Sequence, residues 1–125
     1  MTARILHVED NPANRMIVRD LLEFQGYQVI EVHDGEAALA AAEREQPDLI
    51  LMDIQLPRIS GLEATRRIKA REELRRIPIV AVTSFALSGD DQKASAAGCD
   101  AYIAKPYRPR DLLQIIRSLL PQGRG

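Results

Sequence analysis

The chain has 125 residues, enough for one domain and too few for two of ordinary size. Apolar residues make up 46 % of it and the formal net charge is -1, which argues against a disordered chain and leaves no global basic field for nucleic acid. No apolar run reaches membrane-spanning length, no signal segment is recognisable, and the single cysteine, Cys99, forbids an internal disulfide, so the expected setting is a reducing cytoplasm.

In chain order, short apolar runs alternate with longer amphipathic ones. Ile5 to Val8 predicts a first strand. Pro12 to Gln25 predicts a helix, with Ile17 and Leu21, and Val18 and Leu22, paired at i, i+4 on its inner face. Asn11 suits its cap, Pro12 its first turn and Gly26 its stop. Tyr27 to Val32 predicts a second strand, followed by the turn pair Asp34-Gly35 and an alanine-rich helix over Glu36 to Glu45. Leu49 to Met52 is apolar without alternation, as in strands buried on both faces of a parallel sheet. Pro57 and Gly61 bracket a loop before a helix over Leu62 to Arg71. Ile79 to Thr83 predicts a fourth strand, Ser88 to Ala97 a polar helix, Ala101 to Ala104 a fifth strand and Asp111 to Leu120 a last amphipathic helix. Strict alternation of five strands and five helices implies an α/β fold, a doubly wound parallel sheet with right-handed crossovers. Residues 1–121 form the expected domain and 122–125 a C-terminal tail.

Ligands of open α/β sheets sit beyond the carboxyl ends of the strands. Those ends carry Glu9-Asp10 after the first strand, Asp53 after the third, Thr83-Ser84 after the fourth and Lys105-Pro106 after the fifth. Two carboxylates ~5 Å apart repel by roughly 3 kcal/mol at an effective dielectric of ~20, so three call for a cation. Oxygen donors of this kind suit Mg²⁺. A carboxylate beside such an ion can accept a phosphoryl group, with an amine and a hydroxyl to balance charge on its oxygens.

Four segments, Val-Glu-Asp-Asn (8–11), Pro-Asp-Leu-Ile-Leu-Met-Asp-Ile-Gln-Leu-Pro (47–57), Val-Ala-Val-Thr (80–83) and Gly-Cys-Asp-Ala-Tyr-Ile-Ala-Lys-Pro (98–106), resemble response-regulator receiver domains of two-component signalling. The resemblance covers essentially the whole chain. It implies a flavodoxin-like (βα)5 fold with strand order 2-1-3-4-5. It also implies that Asp53 is the phosphoacceptor, that Asp10 holds Mg²⁺ directly and Glu9 through water, and that the Gln55 backbone carbonyl is a further ligand. Thr83 and Lys105 then attend the phosphoryl group, Tyr102 moves with Thr83, and Lys105–Pro106 is a cis bond.

The segments 83–87, 53–57 and 59–65 look closest to the DivK-like single-domain regulators of bacterial cell-cycle control. Two positions depart from, or vary within, the family pattern. Ser84 stands where alanine is frequent, and Gln55 where the side chain influences dephosphorylation.

The implied function is a Mg²⁺-dependent phosphorelay protein that takes phosphate from a histidine kinase or histidine phosphotransfer protein. It would signal to a downstream protein or kinase through the face of the fourth helix, fifth strand and fifth helix, as a monomer or weak dimer. It would catalyse only its own phosphorylation and dephosphorylation. Phe85, Leu87, Tyr102 and Tyr107 are the candidates for the exposed apolar part of that face. The initiating methionine and short tail favour a free-standing protein.

Two other readings remain open at this stage. An aspartate-based phosphohydrolase would carry a second Asp two residues after the nucleophile, where this chain has Gln55. A phosphorylation-independent adaptor would not need the full acid set with Thr83 and Lys105. His7 reads as a hydrogen-bonded core or sheet-end residue, and Cys99 as small apolar packing.

Overall fold

The computed structural model describes residues 2–84 and 89–120. Five strands, β1 (Arg4–Val8), β2 (Gln28–Val32), β3 (Leu49–Asp53), β4 (Ile79–Thr83) and β5 (Ala101–Ala104), form one sheet in the order β2-β1-β3-β4-β5. Every pairing is parallel. Five helices connect and follow them: α1 (Pro12–Phe24), α2 (Gly35–Glu45), α3 (Gly61–Lys69), α4 (Asp90–Ala97) and α5 (Pro109–Leu119). The expected flavodoxin-like doubly wound sheet is therefore present.

The central strands explain their own composition. β3 and β4 are buried along their whole length, whereas the edge strands β2 and β5 are mostly half-buried. A strand covered on both faces has no solvent side to mark with polar residues, so the apolar run shows no alternation. Alternate residues nevertheless divide between two cores. Ile50 and Met52 pack with Leu6, Val8 and Ile68 toward α2 and α3. Leu49 and Leu51 pack with Ile5, Val18, Leu22, Leu112 and Ile116 toward α1 and α5. Buried alanines 38, 41 and 42 let α2 lie close to the sheet.

Local chemistry sets the helix starts. The Asn11 side chain accepts from the backbone N–H of Ala13 and Asn14, and Pro12 occupies the first turn of α1. Asp34 caps α2 through Ala37 N at 2.8 Å, and Ser60 caps α3 through Glu63 N at 3.2 Å. The far rim, opposite the carboxyl ends of the strands, holds the start of β1 and the end of α5. There Leu119 lines a hollow with Gln46, Asp48, Pro78 and Asp100.

Candidate phosphoacceptor and metal site

A parallel sheet puts all its strand carboxyl ends on one rim, and this sheet collects Glu9, Asp10, Asp53, Thr83 and Lys105 there. One ligand oxygen from each of Glu9, Asp10 and Asp53 lies within 4.8 Å of the others. Asp10 is exposed, while Glu9 and Asp53 are almost wholly buried. Mutual repulsion in a buried place makes this oxygen set a fitting seat for a hard divalent cation.

Glu9 is the most heavily bonded of the three. Its carboxylate accepts from Asn11 N at 3.2 Å, Asn14 Nδ2 at 3.4 Å and Lys105 Nζ at 3.0 Å. Its carbonyl accepts from the Arg15 guanidinium at 2.8 Å. Lys105 Nζ stands farther, 4.0 Å, from Asp53 Oδ2. The ammonium thus rests on Glu9 and has Asp53 within reach.

The two buried acids divide unequally. Burial, then hydrogen bonding and repulsion from Glu9, push the Asp53 carboxyl up to about 7. Burial works against the Glu9 carboxylate too, but the hydrogen bonds from Asp53 and Lys105 outweigh it and hold Glu9 below its ordinary value. Without a cation and below about pH 7, the proton that the pair holds therefore resides on Asp53 rather than Glu9.

Asp53 is held by its own loop. Gln55 N donates to Asp53 Oδ1 at 2.9 Å, and Gly61 N donates to Ile54 O at 2.9 Å. A Cβ at Gly61 would overlap the Asp53 carbonyl oxygen, so only glycine lets α3 start this close to the end of β3. Thr83, fully buried, accepts from Gln55 Nε2 at 2.9 Å, and its carbonyl accepts from Lys105 N at 2.7 Å. The Lys105–Pro106 bond is cis.

Tyr102 lies two residues before Ala104, the register partner of Thr83, and so shares its face of the sheet. Burial, then the carboxylates of Asp90 and Asp91 on α4, push its phenol above the ordinary range. Tyr102 and Tyr107 are both half-buried rather than exposed. Tyr107 packs against the core under α1 and α5 and lines a cavity of about 360 Å³ with Ile17, Leu21 and His7. Phe85 and Leu87 lie outside the described residues.

The hydrogen-bonded role expected of His7 is corrected: its buried Nδ1 has no partner. Burial lowers the imidazole to about 4, with Lys105 and Arg15 pushing the same way against the attraction of Glu9.

The sequence reading missed Asn14 and Arg15 as supports of Glu9, and the side-chain contact of Gln55 with Thr83. The first had a signal, since both residues fall in the first turn of the helix that follows Glu9. The second had none, because it joins positions 28 residues apart through two loops.

The model of the response regulator receiver domain matches residues 5–117. The polar-differentiation response regulator DivK of Brucella ovis is 48 % identical over 120 residues, spanning 96 % of this chain and 98 % of that protein. Among solved structures, the receiver domain of the sensor histidine kinase PA1611 from Pseudomonas aeruginosa superposes with a TM-score of 0.88 at 43 % identity. It covers 95 % of this chain and 98 % of that one, and carries a magnesium ion coordinated in its active-site cleft. The chemotaxis response regulator CheY4 of Vibrio cholerae gives a TM-score of 0.89 at 28 % identity, covering 96 % and 100 %. With the receiver model spanning nearly the whole chain and the acids, hydroxyl and amine on one rim, this protein belongs to the response regulator receiver domain family.

Proposed function

We propose that this receiver accepts a phosphoryl group on Asp53 from a phosphohistidine donor and passes the signal on by protein–protein contact. The observation that carries the reading is the setting of Asp53 at the end of β3, in one cluster with Glu9 and Asp10 and with Lys105 Nζ at 4.0 Å. A Mg²⁺ ion held by Asp10, Asp53 and the Gln55 carbonyl, with Glu9 behind it, would neutralise charge on the carboxylates and on the phosphoryl oxygens.

The deprotonated Asp53 oxygen attacks phosphorus as the P–N bond to the donor imidazole breaks, leaving that histidine with the electron pair. Lys105, resting on Glu9, lies close enough to turn toward the new phosphoryl oxygens. Thr83 supplies a hydroxyl at the neighbouring strand end, and the added charge is about -1.5 to -2 for an ordinary phosphoresidue. Tyr102, beside the first turn of α4 and on the Thr83 face, is the element through which α4, β5 and α5 would change shape.

The fit is to a donor histidine kinase or histidine phosphotransfer protein and to a separate downstream protein or kinase. The protein would act as a monomer or weak dimer in the cytoplasm. No helix among the described residues is long and apolar enough to cross a membrane. The protein would process only its own phosphoryl group, since Gln55 stands where a phosphohydrolase needs its second acid.

The test is labelling by acetyl phosphate in the presence of Mg²⁺. The unaltered protein should take up one phosphoryl group and Asp53→Asn none. Undiminished labelling of Asp53→Asn would remove the assignment.

A further inference from the structure

The loop after β3 and the segment after β4 are tied together by one side chain. Gln55 Nε2 donates to Thr83 Oγ1 at 2.9 Å, and Gln55 Oε1 accepts from Ser84 N at 2.8 Å. Both ends of the carboxamide are used, and reversing it would set its N–H against the N–H of Ser84. The same residue is anchored to the phosphoacceptor, because its own backbone N–H donates to Asp53 Oδ1 at 2.9 Å. Gln55 therefore touches Asp53 through its main chain and Thr83 through its side chain.

We propose that Gln55 is the latch of this switch: its carboxamide holds Thr83 and Ser84 in the resting arrangement and must release them before Thr83 turns toward a phosphoryl group. The inference rests on Asp53 being the phosphoacceptor. Three observations support it. Thr83 is fully buried, so a contact to its hydroxyl is worth more than one in water. Ser84 N has a single hydrogen, and the Gln55 oxygen occupies it. Both contacts run from the loop after β3 to the very end of β4, beyond the Ile54 N to Val82 O bond that ties the two strand ends, so breaking them loosens only the Thr83-Ser84 end. Gln55 acts through Thr83 and is a positioning residue. Two hydrogen bonds of ordinary net strength correspond to roughly a five- to 150-fold bias toward the resting state.

The experiment titrates beryllofluoride, a phosphoryl stand-in for carboxylates, at saturating Mg²⁺. It follows the ¹H–¹⁵N resonance of Ser84 in the unaltered protein and in Gln55→Met. Methionine keeps the length of the side chain and removes both hydrogen bonds. Gln55→Ala, which removes them with a smaller side chain, separates hydrogen bonding from packing. Before beryllofluoride is added, the Ser84 amide proton should move upfield in both variants. The beryllofluoride midpoint should then fall about five- to 150-fold in both. A Gln55→Met midpoint equal to or above that of the unaltered protein, or an unmoved Ser84 resonance, would overturn the latch alone. Failure of the unaltered protein to bind beryllofluoride would overturn the phosphoacceptor reading, and the latch with it.

Discussion

Glu9 and Asp53 share one ammonium and, without a cation, one proton, which makes the resting site sensitive to pH. Asp53 in the folded protein is raised to about 7 from 3.8, so between those values the folded state holds a proton that the unfolded chain releases. Its contribution to stability is present at low pH and is lost as pH rises toward 7. His7 slopes the other way. Lowered to about 4 from 6.5, it favours folding at neutral pH and loses that contribution as pH falls through the same window. The two effects offset each other in the metal-free protein, so Asp53 shows only by comparison. Measured by urea unfolding in EDTA, the stability of Asp53→Asn relative to the unaltered protein should grow by about 2 kcal/mol from pH 5 to pH 7. A flat difference would mean that the carboxyl is not raised. Residue identities at the rim were legible because each sits directly after an apolar run. The pairing of Lys105 with Glu9 rather than Asp53 was not, since only coordinates separate 3.0 Å from 4.0 Å.

Helix bounds were legible to within two residues at either end. Asn11-Pro12 and Asp34-Gly35 announce α1 and α2 by side-chain capping, which is local chemistry. α3 was expected to run to Arg71 but ends at Lys69, where the ladder tightens: Arg71 N donates to Ile68 O, and Arg75 Nε takes the Lys69 carbonyl. α5 starts at Pro109, two residues before the expected Asp111, because proline is already set for a first turn. The start of α3 matters most to the site, since Gly61 lies against the Asp53 carbonyl. Gly61→Ala should push α3 from β3, destabilise the fold by about 1–3 kcal/mol and slow acetyl phosphate labelling. Thermal unfolding and the labelling rate check both. Normal labelling with normal stability would show that the helix can retreat without moving Asp53.

Across the whole molecule, alternation in the sequence implied a parallel sheet, while the strand order came from resemblance to the receiver family. Periodicity alone cannot rank five strands, because β1, β3 and β4 are nearly alike in apolar content and burial, and nothing local tells one from another's neighbour. The acid rim also ties overall stability to metal. A cation that binds the folded cluster and not the open chain should raise the unfolding free energy, by about 2.7 kcal/mol at a hundred times its Kd. A Mg²⁺ titration followed by thermal denaturation should show that rise. EDTA should reverse it, and the effect should be smaller at pH 5.5 than at pH 8, where the ion no longer competes with a proton on Asp53.

The far rim, where β1 begins and α5 ends, is the pole away from all of this chemistry. A dye attached at the exposed Thr2, just before β1, would therefore hang from the back of the molecule. It would leave the acids open to a donor, and it would sense the switch only through what travels along the helices at the sides.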